Sequence, residues 1–269
     1  MIRLVATDLD GTFWDSDLTV PRAHLGAVHE LERRGVEVMA ATSRRRRVVA
    51  HHLGRVGLAP SAVVLDGAMG VDLADGRRFH DAAFSVDAAG RVLEQFRRHG
   101  IEPCVYVDEA EVDVVVASQP STSAAHLAYL GPITRTGDLD ETVATPGVYS
   151  FSVTGRPRTE LLPLGEDLAR TGTEPLLFFE ADYGGWTLLV APPAVTKWNG
   201  ILSHAARRGI AIDEILAVGD GDNDIEMLTR AGTAVGVRGG TERALAVADH
   251  RIDGPSSNGW AAIVDLLDS

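Results

Sequence analysis

The sequence predicts an α/β protein: a doubly wound parallel (Rossmann-like) sheet core interrupted by an inserted α+β domain. Three observations predict it. Short apolar strands alternate with helical patterns at both ends of the chain. The middle of the chain loses that alternation, and strand follows strand there. Acidic clusters follow two of the flanking strands, at the position where doubly wound sheets hold their ligands.

Residues 2–7 are apolar and β-prone and run into Asp and Gly, as a buried parallel strand entering a loop does. A helix over 21–34 follows, with Pro21 in its first turn and Gly35 just past its end. A strand over 36–41, a helix over 44–56 and a strand over 62–66 complete a β-α-β-α-β run, which argues for crossover helices on a parallel sheet. Segments 70–73 and 77–80 flank Ala74-Asp75-Gly76 and read as a hairpin. Helices are then expected over 87–99, 121–130 and 158–170, and strands over 103–107, 112–117, 148–153, Leu176–Glu180 and 186–190. This order predicts a small antiparallel sheet with helices on one face. Alternation resumes with helix Lys197–Arg208, strand Ile215–Gly219, helix 225–231, strand Thr233–Val237 and a last helix over 260–267. The core is therefore assigned to 1–81 and 192–269, and the insertion to 82–191.

A chain of 269 residues fits two domains, since single cores stop growing near about 250 residues. Its 45% hydrophobic and 23% charged residues are those of an ordinary soluble globular protein. A net charge of −13 repels nucleic acid and anionic membrane, so neither is an expected partner. Apolar runs fall short of the roughly 20 residues that cross a bilayer. The single cysteine, Cys104, cannot form an internal disulfide, and the N-terminus lacks a signal-peptide pattern. A cytoplasmic protein, monomer or weak homodimer, is expected.

Asp8-Leu9-Asp10-Gly11-Thr12 closes the first strand. Carboxylates at i and i+2 can both face the crevice there, one serving as nucleophile or metal ligand while the other handles protons. An acidic loop or helix cap is the plainer reading. A second cluster, Gly219-Asp220-Gly221-Asp222-Asn223-Asp224, follows the strand Ile215–Gly219. Converging carboxylates need a cation, and an all-oxygen site beside a phosphate suits Mg2+. A calcium loop is rejected, because Ile225, Glu226, Met227 and Leu228 begin a helix where that loop needs Gly and a terminal Glu.

Lys197 is the one lysine among 25 basic Lys and Arg residues. It is either a point charge for a phosphate and a carboxylate or a helix-start residue retained by chance. Thr42 and Ser43 precede the helix expected from Arg44, either as an anion site at a helix N-terminus or as an N-cap. The Arg44-Arg45-Arg46-Arg47 run reads as a solvated helix face, and His51-His52 as surface. Asp182-Tyr183-Gly184-Gly185-Trp186 is a turn that either presents an aromatic and an acid to a sugar or is a plain hairpin.

These pieces, in this order, resemble the haloacid dehalogenase superfamily of phosphohydrolases, and the insertion resembles the type IIB cap of its Cof-like branch. Asp8, Asp10, Thr42, Lys197, Asp220 and Asp224 fall on the family's four motifs. Asp66-Gly67-Ala68 stands where Asn-Gly-Ala is usual, and Ser43 where Gly is usual. The resemblance implies Mg2+-dependent hydrolysis of a small phosphorylated metabolite such as a sugar phosphate. Asp8 would attack phosphorus, and Asp10 would protonate the leaving oxygen and then activate water. Asp8, the Asp10 carbonyl, Asp220 and Asp224 would serve the metal, with Asn223 orienting the shell. Lys197, Thr42, Ser43 and Asn223 would meet the phosphate. Substrate choice would lie with the inserted domain, hinged near Ala82 and Pro192. Phosphomutase-type transfer and a noncatalytic ligand-binding homologue are the competing expectations.

Overall fold

The computed structural model describes residues 1–267. It divides into two compact units, Met1–Asp81 with the chain from Thr196 onward, and Ala82–Val195.

In the first unit the chain runs β1 (Leu4–Thr7), α1 (Arg22–Arg33), β2 (Glu37–Ala41), α2 (Arg46–Arg55), β3 (Ser61–Val64), β4 (Met69–Asp72) and β5 (Arg78–Asp81). Numbering along the whole chain, it resumes with α7 (Lys197–Arg208), β12 (Ile215–Gly219), α8 (Ile225–Arg230), β13 (Thr233–Val237), α9 (Glu242–Ala246), β14 (His250–Ile252) and α10 (Ile263–Leu266). Among the described residues these strands form one eight-stranded sheet in the order β14-β13-β12-β1-β2-β3-β4-β5. The six strands from β14 to β3 are parallel, and β4 and β5 extend the sheet antiparallel as the expected hairpin. The doubly wound parallel core expected from the sequence is present.

β1 and β12 are buried along their whole length, which is why they read as continuous apolar runs with no polar face. Thr7 pairs with Val218 on one side and Ala40 on the other, so the carboxyl ends of β12, β1 and β2 lie side by side. Leu4, Met39, Val63, Trp198, Ile201 and Met227 belong to the buried cluster on which these strands rest.

The second unit holds α3 (Val86–Arg98), β6 (Cys104–Tyr106), β7 (Val114–Val116), α4 (Ala124–Leu130), β8 (Thr134–Thr136), α5 (Leu139–Val143), β9 (Ser150–Arg156), α6 (Arg158–Ala169), β10 (Leu176–Glu180) and β11 (Gly185–Val190). Its sheet order is β10-β11-β9-β6-β7-β8. The expected antiparallel sheet holds except at β7–β8, which pair in parallel. Phe96, Phe151, Leu161, Leu164 and Leu188 fill its core. Among the described residues no helix is long and apolar enough to cross a membrane.

Several expectations need correction. The strand expected over 62–66 stops at Val64, because Leu65 and Asp66 both turn to φ 53. The helix expected from Arg44 starts at Arg46. The last helix is split into a 3-10 turn, Gly259–Ala262, and α10. β8, α5, α9 and β14, three to five residues each, escaped the sequence reading because periodicity needs a longer window.

Gly67 has φ +112, and a Cβ there would lie 2.0 Å from the Thr196 carbonyl oxygen. The turn after β3 touches the backbone that leads into α7, and only a residue without a side chain permits it. Gly67→Ala should destabilise the protein by at least about 2 kcal/mol, since strain alone costs about 1–3 kcal/mol. Urea denaturation with an unchanged midpoint would contradict this.

Glu37, at the start of β2, accepts from His204 Nε2 at 2.8 Å and from the Arg208 guanidinium at 3.1 Å. Burial raises its pKa, but the His204 and Arg208 hydrogen bonds outweigh that and leave it lowered. A lowered carboxyl stabilises the fold above the unfolded value of about 4.3 and loses that contribution as pH falls through the folded value. Glu37→Gln should therefore flatten the dependence of stability on pH below about 4.3, measured as urea midpoints across an acid series; an undiminished slope would refute it.

Candidate active site

The chain leaves β1 through Asp8. Its amide still donates to the Val218 carbonyl at 2.8 Å, so the strand ladder fixes the buried carboxylate. The Leu9 carbonyl then accepts from the amides of Phe13 and Trp14, both at 2.9 Å, and folds the loop back on itself. Gly11 sits at φ +74, and a Cβ there would meet Asp220 Oδ2 at 2.8 Å. The missing side chain lets the first loop pass against the second acidic loop. Thr12 Oγ1 donates to Asp220 Oδ1 at 3.2 Å and ties the two together.

Asp10 points elsewhere. Arg44 grips its carboxylate with Nε at 3.0 Å and Nη2 at 2.8 Å, and Trp14 Nε1 donates to it at 3.1 Å. Arg44 thus lies in the loop before α2 rather than on a solvated helix face. Thr42 and Ser43 likewise precede Arg46 by a short loop and neither cap α2 nor sit at its N-terminus; Arg45 occupies the N-cap. Instead the buried Thr42 Oγ1 accepts from the Arg44 amide at 3.1 Å, a local hydroxyl turn. Ser43 is exposed. The sequence reading missed the Arg44 clamp; its signal was the place of Arg44 two residues after Thr42, at the end of a strand.

Lys197 begins α7, which Thr196 caps. Its ammonium, 1% exposed, donates to Asp8 Oδ1 and Asp224 Oδ1, both at 2.7 Å. Asp224 Oδ2 accepts from the amides of Asp220 and Gly221 at 3.0 and 2.9 Å. Asn223 donates from Nδ2 to Asp66 Oδ1 at 2.9 Å. The turn Asp182 to Trp186 joins β10 and β11 as a hairpin, with Gly184 in the left-handed region and Tyr183 against His126.

Carboxylate oxygens of Asp8, Asp220 and Asp224 come within 4.8 Å of one another. At that spacing two negative charges repel by about 3 kcal/mol for an effective dielectric near 20. One ammonium faces three carboxylates. Burial drives the Asp8 pKa up to about 8, Lys197 opposing and Asp224 adding to the rise. Asp220 is likewise raised, by burial and then by Asp224. Lys197 is pulled down by burial, but Asp8 and Asp224 win and raise it. Burial first and neighbouring carboxylates second raise both carboxyls, and three hard oxygen donors this close fit a divalent cation. The carboxylate of Asp10 is not one of these three.

A family model described as haloacid dehalogenase-like hydrolase matches residues 5–264. The chain is 26% identical over 256 residues to the chloroplastic endoribonuclease YBEY of Arabidopsis thaliana, covering 90% of this chain but 42% of that protein. This chain therefore spans less than half the length of that relative. It is 26% identical over 250 residues to the putative phosphatase YkrA of Bacillus subtilis, covering 92% of this chain and 90% of the relative. A haloacid dehalogenase subclass IIB sugar phosphatase of known structure shares the fold, with a TM-score of 0.75 and 18% identity over 99% of each chain. With that model matching nearly the whole chain, and the acidic centre standing at the ends of β1 and β12, the chain belongs to the haloacid dehalogenase-like hydrolase family.

Proposed function

We propose that this chain is a Mg2+-dependent phosphatase that hydrolyses a small phosphomonoester, a sugar phosphate or similar metabolite, through a phosphorylated Asp8. The observation that carries the reading is the Lys197 ammonium 2.7 Å from Asp8 within a cluster of three carboxylates. Likeness to a putative phosphatase and to a sugar phosphatase supports it. We assign the chemistry to 1–81 with 192–269 and substrate choice to 82–191, since the groups at the strand ends suit a phosphoryl group and a metal.

In this reading an Asp8 oxygen attacks phosphorus in line and the bond to the leaving oxygen breaks. Asp10 gives that oxygen a proton, then takes one from the water that attacks the acyl phosphate, releasing phosphate and restoring Asp8. Arg44 and Trp14 hold the Asp10 carboxylate in place for the second step. Thr42, Ser43 and Asn223 meet phosphate oxygens, and Lys197 offsets charge on Asp8 and on the transferring group. Asp8, Asp220, Asp224 and the Asp10 carbonyl would serve Mg2+, which when bound neutralises charge on the nucleophile and the phosphoryl oxygens.

Asp8→Asn should lower phosphate release by at least about a thousandfold, the scale of losing a nucleophile, with an unchanged circular dichroism spectrum. A variant that turns over like the wild type refutes the nucleophile. Removing divalent ions with EDTA should abolish hydrolysis across a panel of phosphorylated metabolites, and Mg2+ should restore it. Undiminished activity in EDTA would exclude the metal reading.

A further inference from the structure

Asp66 occupies a conformation that needs a reason. It and Leu65 both stand at φ 53, a left-handed conformation that carries strain for a non-glycine residue. Such strain persists only where surrounding bonds determine it. The Leu65 amide donates to the Arg44 carbonyl and the Asp66 amide to the Thr42 carbonyl, both at 3.1 Å. Gly67 presses on the backbone of Thr196, one residue before Lys197. The turn after β3 is thus fastened to the loop after β2 and to the start of α7.

In the remaining direction, Asn223 Nδ2 donates to Asp66 Oδ1 at 2.9 Å. A carboxylate only accepts, so it fixes which end of the Asn223 amide faces it. The amide oxygen is then left over Gly221, where a Cβ would meet it at 2.6 Å. Asn223 lies in the 3-10 turn Asp222–Asp224, next to the aspartate whose Oδ2 gathers the amides of Asp220 and Gly221. The bond at Asn223 therefore adds a tie to an acidic loop that Thr12 and Thr241 hold at Asp220, Arg243 at Asp222 and Lys197 at Asp224. Asp66 also adds its charge to those acting on Lys197.

We propose that Asp66 is a positioning residue: through Asn223 it holds the loop bearing Asp220 and Asp224 in the form that takes up Mg2+. The inference rests on the metal site proposed above. Residues that orient metal ligands typically carry about 10–100-fold in affinity.

The test is isothermal titration of Mg2+ into folded protein, with no substrate present. Asp66→Gly removes the carboxylate and keeps the left-handed backbone, and Asn223→Ala removes its partner. Each should weaken Mg2+ binding by about tenfold, and the double variant by no more than either alone, because the two act as one unit. Asp66→Asn, which still offers an oxygen to Asn223, should stay within about threefold of wild type on the same scale. Unchanged affinity in Asp66→Gly, an additive double variant of about a hundredfold, or an Asp66→Asn as weak as Asp66→Gly would each overturn the proposal. Wild-type protein that binds no Mg2+ would overturn the metal site and this role together. Binding without phosphatase activity would sink the proposed reaction alone.

Discussion

One buried ammonium organises the first unit's site. Lys197 lies 189 residues from Asp8 and 27 from Asp224, and bonds to both. An uncompensated charge at that depth is too costly to keep, so the two carboxylates and the ammonium must be delivered together. Removing one partner of such a group typically costs about 3–5 kcal/mol. The triad is therefore a constraint on the fold as well as a piece of chemistry. A lysine suits it because its compact head bonds two carboxylates at once, where a guanidinium would need a wider opening.

The sheet supplies the delivery. β1 lies between β12 and β2, with β13 and β14 beyond one and β3 beyond the other. The strand order reverses direction at β1, the switch point at which parallel sheets open a crevice at their carboxyl ends. Asp8, Asp220 and Thr42 all follow strands that meet there, and the in-register pairs Thr7 with Val218 and Thr7 with Ala40 set them level. Backbone ladders, stronger in aggregate than any surface contact, thus fix the spacing of groups that repel one another.

Much of this was legible in the residues. Continuous apolar runs ending in acidic clusters identified β1 and β12, because a strand buried on both faces leaves no other pattern. The lone lysine announced itself by composition. What was not legible depends on contacts distant in sequence. Arg44 reads as one of four arginines, and only its place two residues after Thr42, at the end of a strand, sets apart the one that clamps Asp10. Asp66 reads as the last residue of a strand, since the Thr42 and Arg44 carbonyls that accept from the Asp66 and Leu65 amides at this turn belong to another loop. Short elements such as β8 and β14 draw their stability from neighbouring strands rather than from periodicity, so the sequence carries little trace of them.

An interrupted core raises the question of what keeps its second half in register with its first. Pairing of β1 with β12 is part of the answer, and the buried charge of Lys197 adds a second constraint. Lys197 comes at the point where the first unit resumes, one residue after Thr196. There Gly67 touches the Thr196 backbone, and the Thr196 hydroxyl caps the helix that Lys197 begins. A one-residue shift at this junction would take the ammonium away from Asp8 and Asp224, drive a side chain against the turn after β3 and break the cap. Three independent penalties thus fall on the same error. Residues 82–195 need only return the chain to that point for the centre that they interrupt to keep its geometry.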